Sequence, residues 1–202
     1  MVPIAKVKNP SVVSEFRPVA LTSIISKCFE RIILKRLKAA MTSTLDKNQF
    51  GYRENCSTED ALCTAVPYIS SHLDKNPMNA VRCLFLDFSS AFNTISPVRL
   101  VQKLINMFQL PLGLCKLVFD FMIDRAQFVV TDSEKSNVET TNIGSPQGCI
   151  LSPFLFCMYT NDLKSSDNNV EIIKYADDTL IFGKITNNDS AKYFNAVYDI
   201  EN

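Results

Sequence analysis

Apolar residues recur at spacings of three and four from Ile24 through Ile25, Cys28, Phe29, Ile32 and Ile33 to Leu37, which is the period of one helical stripe. Thr22 or Ser23 stands where an N-cap is needed, so the pattern predicts an amphipathic helix whose stripe enters the core. A second helix is predicted from Thr58 to Leu73, kinked at Pro67. Ser96 followed by Pro97 supplies a cap and a first-turn proline for a third, with Val98, Val101, Leu104, Ile105 and Phe108 on one face. Leu112 to Ile123 reads as a fourth. Elsewhere the apolar runs are short and dense. Val81, Cys83 and Phe85 alternate with Leu84 and Leu86, which predicts a strand buried on both faces and ending at Asp87. Gln127 to Thr131 and Val138 to Ile143 read as antiparallel strands around the polar turn Asp132 to Asn137. Ile172, Ile173 and Tyr175 lead into the tip Ala176-Asp177-Asp178-Thr179, and Leu180, Ile181 and Phe182 lead out of it. The first 20 residues, with Pro3, Pro10 and Pro18, read as extended or looped, and a helix is expected from the Phe154–Tyr159 run to about Leu163. Strands and helices without strict alternation predict an α+β fold.

The 202 residues are 47% hydrophobic, enough for a real core, and the net charge is zero. The charge is unevenly spread, however. Residues 1–53 hold ten Lys/Arg against three Asp/Glu, a balance of +7, and the remainder holds eleven against eighteen, or −7. A basic segment joined to an acidic one suits a protein that grips phosphates with one part and binds cations with the other. Lys27, Arg31, Lys35, Arg36 and Lys38 equally fit an ordinary solvated helix face. No apolar run approaches the roughly 18 residues of a membrane span, and no signal-peptide core follows Met1, so a soluble, intracellular chain without a membrane partner is expected. Seven Cys without CxxC spacing and a single His, His72, argue against a zinc site or a disulfide framework, and most of the cysteines are expected to be small core residues.

Two carboxylates at the ends of apolar strands, Asp87 and Asp177, would repel one another unless cations lay between them, and paired divalent metals are the usual machinery of phosphoryl transfer. Asp178 follows Asp177 directly. Consecutive side chains on extended backbone point to opposite faces, which sets Asp178 below the other two. Between the two strands, Gly144-Ser-Pro-Gln-Gly-Cys-Ile-Leu-Ser-Pro153 gathers two of the five Gly and two of the nine Pro, and Gln147 brings a donor and an acceptor to a loop where a nucleotide could approach the backbone.

These pieces resemble the motifs of reverse transcriptases, and most closely those of LINE-type, jockey-like non-LTR retrotransposons. The resemblance runs through five collinear blocks: Glu15-Phe-Arg-Pro-Val-Ala-Leu-Thr-Ser23, Asn48-Gln-Phe-Gly-Tyr-Arg53 with Ser57-Thr-Glu-Asp-Ala61, Leu86-Asp-Phe-Ser-Ser-Ala-Phe-Asn-Thr-Ile95, Gly144-Ser-Pro-Gln-Gly148 with Leu151-Ser-Pro153, and Tyr175-Ala-Asp-Asp-Thr179. It implies the fingers and palm of a right-hand polymerase, with an antiparallel palm sheet and packed helices. Residues 1–80 would form a fingers-like basic segment, 81–110 and 143–202 the palm, and 111–142 a helix and hairpin inserted between them. Asp87, Asp177 and Asp178 would bind two Mg2+, with Mn2+ as a substitute, and join dNTPs to a DNA primer on an RNA template. Lys6, Lys8 and Arg17 would touch the triphosphate, Phe92 would act as a steric gate against ribonucleotides, Gln147 would contact the nucleotide, and Gln49, Arg53 and Gly148 the template and primer. Phe92 and Ala176 weigh against an RNA-dependent RNA polymerase. Cys56 departs from the basic residue common before Ser-Thr. The chain ends about 20 residues after the Asp177 turn, so the thumb and the preceding endonuclease are expected to be missing, and an inactive relic with residual nucleic-acid binding is the alternative.

Overall fold

A computed structural model describes residues 1–41, 44–88, 90–131 and 134–201. In chain order the elements are β1 (Val2–Ala5), β2 (Phe16–Val19), α1 (Ile24–Met41), α2 (Thr58–Leu73), β3 (Ala80–Asp87), α3 (Pro97–Asn106), α4 (Leu112–Met122), β4 (Arg125–Gln127), β5 (Glu139–Thr141), α5 (Ser152–Tyr159), β6 (Val170–Tyr175), β7 (Asp178–Ile185) and α6 (Ala191–Glu201). The mixture of helices with antiparallel strands is the α+β class expected. Two compact units divide the chain: Met1–Thr44 with Ser90–Tyr159, and Leu45–Ser89 with Thr160–Asn202. Among the described residues, no helix is long and apolar enough to cross a membrane.

In the first unit the proline-rich start forms the antiparallel pair β1–β2, with Ile4 opposite Arg17. Ser23 is the cap of α1, its hydroxyl oxygen accepting from the N–H of Ser26 at 3.1 Å. The stripe on α1 does not all enter the core. Ile33, Leu37 and Met41 are buried, whereas Ile24, Ile25, Cys28, Phe29 and Ile32 are exposed. The cause is Glu30, which is buried on the same helix face as Ile33 and Leu37 and accepts from the N–H groups of Ile150 (2.6 Å) and Leu151 (3.1 Å), just ahead of α5. A carboxylate there satisfies donors that the α5 helix cannot satisfy itself, so it takes the inward position that the apolar pattern assigns to its neighbours. Of the basic residues on α1, Arg31, Lys35 and Arg36 lie on the solvated face.

Ser96 caps α3, with Pro97 in its first turn, as the sequence predicts. The β4–β5 ladder pairs Arg125–Gln127 with Glu139–Thr141, earlier than expected. Beyond Gln127 the expected pairing around the turn survives only in part, as an isolated antiparallel bridge of Val130 with Lys135 and a bond from the Ser136 N–H to the Val129 carbonyl; Val129 also donates to the Ser136 hydroxyl and Val130 to the Met1 carbonyl, all three bonds at 2.9 Å. Asp132 and Ser133 in the predicted turn lie outside the described residues.

The second unit is a three-stranded antiparallel sheet, ordered β3-β7-β6, between two helices. One face carries Val170, Ile172, Ile181 and Ile185 against Tyr193 and Ala196 of α6. The other carries Ile173 and Phe182 against Phe50 and Ala65 and Tyr68 of α2. Alternation along β6 and β7 is thus used on both faces. The α2 helix opens with a capping box between Ser57 and Asp60 and runs through Pro67 as one helix over the expected span. His72 is a core histidine, with Nε2 2.9 Å from the Ile185 carbonyl.

Two further expectations fail. The β3 strand is not buried on both faces: it is an edge strand, and although Leu84 and Leu86 pack toward α6, Cys83 is exposed and Phe85 is 79% exposed. The α2 helix covers Val81 on that face but not the end near Asp87. The helix expected to reach Leu163 stops at Tyr159, because the carbonyls of Thr160 and Leu163 accept from the Lys174 ammonium at 2.9 and 3.0 Å instead of continuing a helix. Of the seven cysteines, Cys115, Cys149 and Cys157 are buried, Cys56 is half-buried and Cys28, Cys63 and Cys83 are exposed, so the core role holds for fewer than expected.

Candidate functional site

The acidic site is built by strand register. β3 and β7 run antiparallel with Asp87 directly opposite Asp178, and β6 returns to β7 with Tyr175 opposite Asp178. Directly opposed residues on antiparallel strands share a face, with Cβ atoms about 5 Å apart. Asp178 is therefore the cross-strand neighbour of Asp87, the reverse of the order that simple alternation assigned. Asp177 stands one residue earlier in the two-residue connection Ala176–Asp177, where Ala176 has a left-handed φ of 59° and strict alternation is broken. Asp87 and Asp178 are exposed, and Asp177 is half-buried.

Like charges placed directly opposite each other destabilise a ladder. Among the described residues, none of the three carboxylates receives a hydrogen bond or a salt bridge from the chain. Among those residues, no group of three or more His, Cys, Asp or Glu side chains is gathered closely enough to hold a metal ion by itself. Hard oxygen donors in an open arrangement fit Mg2+, which is commonly held by one or two carboxylates together with substrate phosphates rather than by an all-protein cage.

The Gln147 loop is a constellation within the first unit. Gly144 has φ 72°, and a Cβ there would stand 2.6 Å from the Asn93 carbonyl oxygen. Gly148 has φ 94° and is exposed, a conformation that disfavours any side chain. The Gln147 amide donates to Asn93 Oδ1 at 3.3 Å, its carbonyl accepts from the Ala20 N–H at 2.7 Å, and the Ser145 N–H donates to the Phe92 carbonyl at 2.6 Å. The Ser152 hydroxyl bonds the Pro146 carbonyl at 2.6 Å and lies 2.7 Å from the Ser145 hydroxyl. This loop therefore holds Gln147, Gly148, Phe92 and Asn93 as one assembly. The Phe92 ring is half-buried and rests on Phe156 with centroids 5.6 Å apart.

Arg17, Lys6 and Lys8 are exposed on or beside the β1–β2 pair, and the Lys6 ammonium bonds the Ser14 carbonyl at 2.9 Å. Gln49 and Arg53 are placed differently. Gln49 is 2% exposed and its side-chain oxygen accepts from the Gly51 N–H. The Arg53 guanidinium donates to the carbonyls of Asp46 (3.0 Å) and Gln49 (3.1 Å). Both are bonded to this chain's own backbone, and Gln49 Nε2 is buried without a hydrogen-bond partner among the described residues.

Sequence reasoning missed Lys174, Asp46 and Gly51. Lys174 is 1% exposed, and its Nζ lies 2.7 Å from Asp46 Oδ2. One signal was available: a lysine two positions after Ile172 occupies an inward step of a strand pattern, where only a paired charge is tolerated.

Residues 5–200 match the family described as reverse transcriptase (RNA-dependent DNA polymerase). The chain is 31% identical over 186 residues to the RNA-directed DNA polymerase from mobile element jockey of Drosophila melanogaster, covering 88% of this chain and 20% of that protein. It is likewise 31% identical to the jockey polymerase of Drosophila funebris, over 89% of this chain and 20% of that one. Among solved structures, telomerase from Candida tropicalis in complex with the TWJ fragment of telomeric RNA superposes with a TM-score of 0.61 at 11% identity, covering 89% of this chain and 31% of that one. Telomerase from Candida albicans in complex with the same kind of fragment gives 0.60 at 16%, over 87% and 32%. These superpositions speak to the fold, and the chain spans about a fifth of the length of the jockey polymerases.

Proposed function

Because this chain belongs to the reverse transcriptase family, with relatives in jockey-like mobile elements, we propose that it forms the catalytic part of an RNA-directed DNA polymerase that extends a DNA primer on an RNA template with dNTPs. The observation that carries the reading is the opposed pair Asp87 and Asp178, with Asp177 in the adjoining turn and no partner for any of them among the described residues. Asp87, Asp177 and Asp178 would hold two Mg2+, or Mn2+ in its place. When bound, these ions supply neutralisation of phosphate charge and activation of the primer 3′-hydroxyl. The three carboxylates fix where the reacting oxygens meet, and positioning of that kind accounts for much of phosphoryl-transfer catalysis.

In this reading the second unit is palm and the basic β1–β2 region belongs to the fingers. Arg17 would bind triphosphate oxygens through its planar fork, with Lys6 and Lys8 as point charges beside it. Gln147 and the exposed backbone of Gly148 would face nucleotide and primer, while Gln49 and Arg53 would shape the loop near the template without contacting it themselves.

Phe92, five residues after Asp87, would select the sugar. An apolar ring occupies the volume of a ribose 2′-hydroxyl and offers it no hydrogen bond, so that hydroxyl is desolvated without compensation. The test uses a chimaera in which this chain replaces the matching segment of the D. melanogaster jockey polymerase. Phe92→Val should raise ribonucleotide over deoxynucleotide incorporation by about 10- to 100-fold, with dNTP use little changed. An unaltered sugar preference in single-nucleotide primer extension would remove Phe92 from the nucleotide site.

A further inference from the structure

Lys174 is held at both its side chain and its backbone by one loop. Its ammonium reaches Asp46 Oδ2 at 2.7 Å and the carbonyls of Thr160 and Leu163 at 2.9 and 3.0 Å, which uses all three donors. Its own N–H donates to the Asn48 carbonyl, and its carbonyl accepts from the Phe50 N–H, both at 2.8 Å. The Asp46 N–H in turn donates to Asn161 Oδ1 at 2.7 Å. Immediately afterwards Gly51 lies against the Asp177 turn so closely that a Cβ would stand 2.0 Å from Ala176 N and 2.7 Å from Ala176 Cα. The Arg53 bonds to the Asp46 and Gln49 carbonyls close the loop on itself.

The turn needs such a support. Ala176 sits at a positive φ of 59°, a conformation that strains a non-glycine residue. The facing carboxylates of Asp87 and Asp178 push their strands apart. Left alone, a two-residue tip under both loads would relax. A buried ion pair, two backbone bonds and a backbone contact that admits only glycine over-determine its place.

We infer that the loop from Asp46 to Arg53 is the positioning element of the cation site: Asp46 and Lys174 anchor it, and Gly51 fixes the height of the Asp177 turn. None of these residues touches substrate; each acts through Asp177 and Asp178. The inference rests on the reading of those aspartates as cation ligands.

The test is Mn2+ titration of this chain, followed by loss of the free-ion electron paramagnetic resonance signal and reversed by Mg2+. Gly51→Ala should weaken Mn2+ binding about tenfold or more while circular dichroism shows a folded protein. Gly183→Ala is the matched control, since a Cβ there would meet Tyr193 Cδ2 at 2.6 Å, in the same sheet but away from the turn. It should lower the melting temperature and leave Mn2+ affinity within about twofold. Should Gly51→Ala fail to fold, the isosteric Asp46→Asn carries the same expectation of weakened binding. Wild-type binding that Gly51→Ala leaves unchanged, or that Gly183→Ala weakens equally, would overturn this inference alone. Absence of Mg2+-reversible Mn2+ binding by the wild type would overturn the cation reading itself, and this inference with it.

Discussion

Changing Asp177 to Asn in the jockey chimaera should lower the rate of nucleotide addition by about 10³-fold or more, with primer–template affinity nearly unchanged. In the proposed reaction the cations would supply several kcal/mol of transition-state stabilisation, and each 1.4 kcal/mol is tenfold in rate. The amide keeps the shape of the carboxylate and loses only its charge, so the effect falls on kcat rather than on folding. Asp87→Asn should fall as far. Asp178→Asn is the informative member, because the register sets Asp178 directly opposite Asp87. A loss comparable to that of Asp177→Asn is expected. Retention of wild-type rates by Asp178→Asn would show that its carboxylate faces Asp87 without sharing its cation.

The second large effect is on stability. Lys174→Met should destabilise the protein by about 3–5 kcal/mol, measured as a lowered urea midpoint at constant m-value. Lys174 and Asp46 are both buried, and removing the ammonium leaves the carboxylate and two carbonyls without their donor. The double change Asp46→Leu with Lys174→Met should recover a large part of the loss, because an apolar pair of similar volume has no desolvated charge to satisfy. A loss below about 1 kcal/mol for the single change would mean that water reaches the pair, as it does for surface ion pairs.

What was legible in the sequence, and what was not, follows from what a periodic pattern encodes. Ser96-Pro97 is a local device whose partners lie within one turn, and the structure places α3 accordingly. Asp87 at a strand end and the Ala176–Asp177 turn were readable for the same reason. A period, however, reports which residues share a face and not what covers that face. It could not tell that Phe85 would sit on an edge strand beyond the reach of α2, nor that Ile25, Phe29 and Ile32 would remain outside while Glu30 turned inward. Glu30 finds its donors 120 residues away. Lys174 and Asp46 are paired across a similar distance. At the acidic site, alternation ranked Asp178 last, whereas a cross-strand register that no single segment contains made it the partner of Asp87. Gly51 belongs to the Asn48–Arg53 motif, but its reason, the close backbone of Ala176, exists only in three dimensions.

The proposed activity is DNA synthesis on RNA through cations held by Asp87, Asp177 and Asp178. It is tested most directly by adding one dNTP to a DNA primer annealed to an RNA template, using the jockey chimaera under single-turnover conditions. Extension by one nucleotide in Mg2+, abolished by chelation and by Asp87→Asn, is the predicted result. A chimaera that binds primer–template yet adds no nucleotide, or addition that survives the combined loss of Asp87 and Asp177, would contradict it.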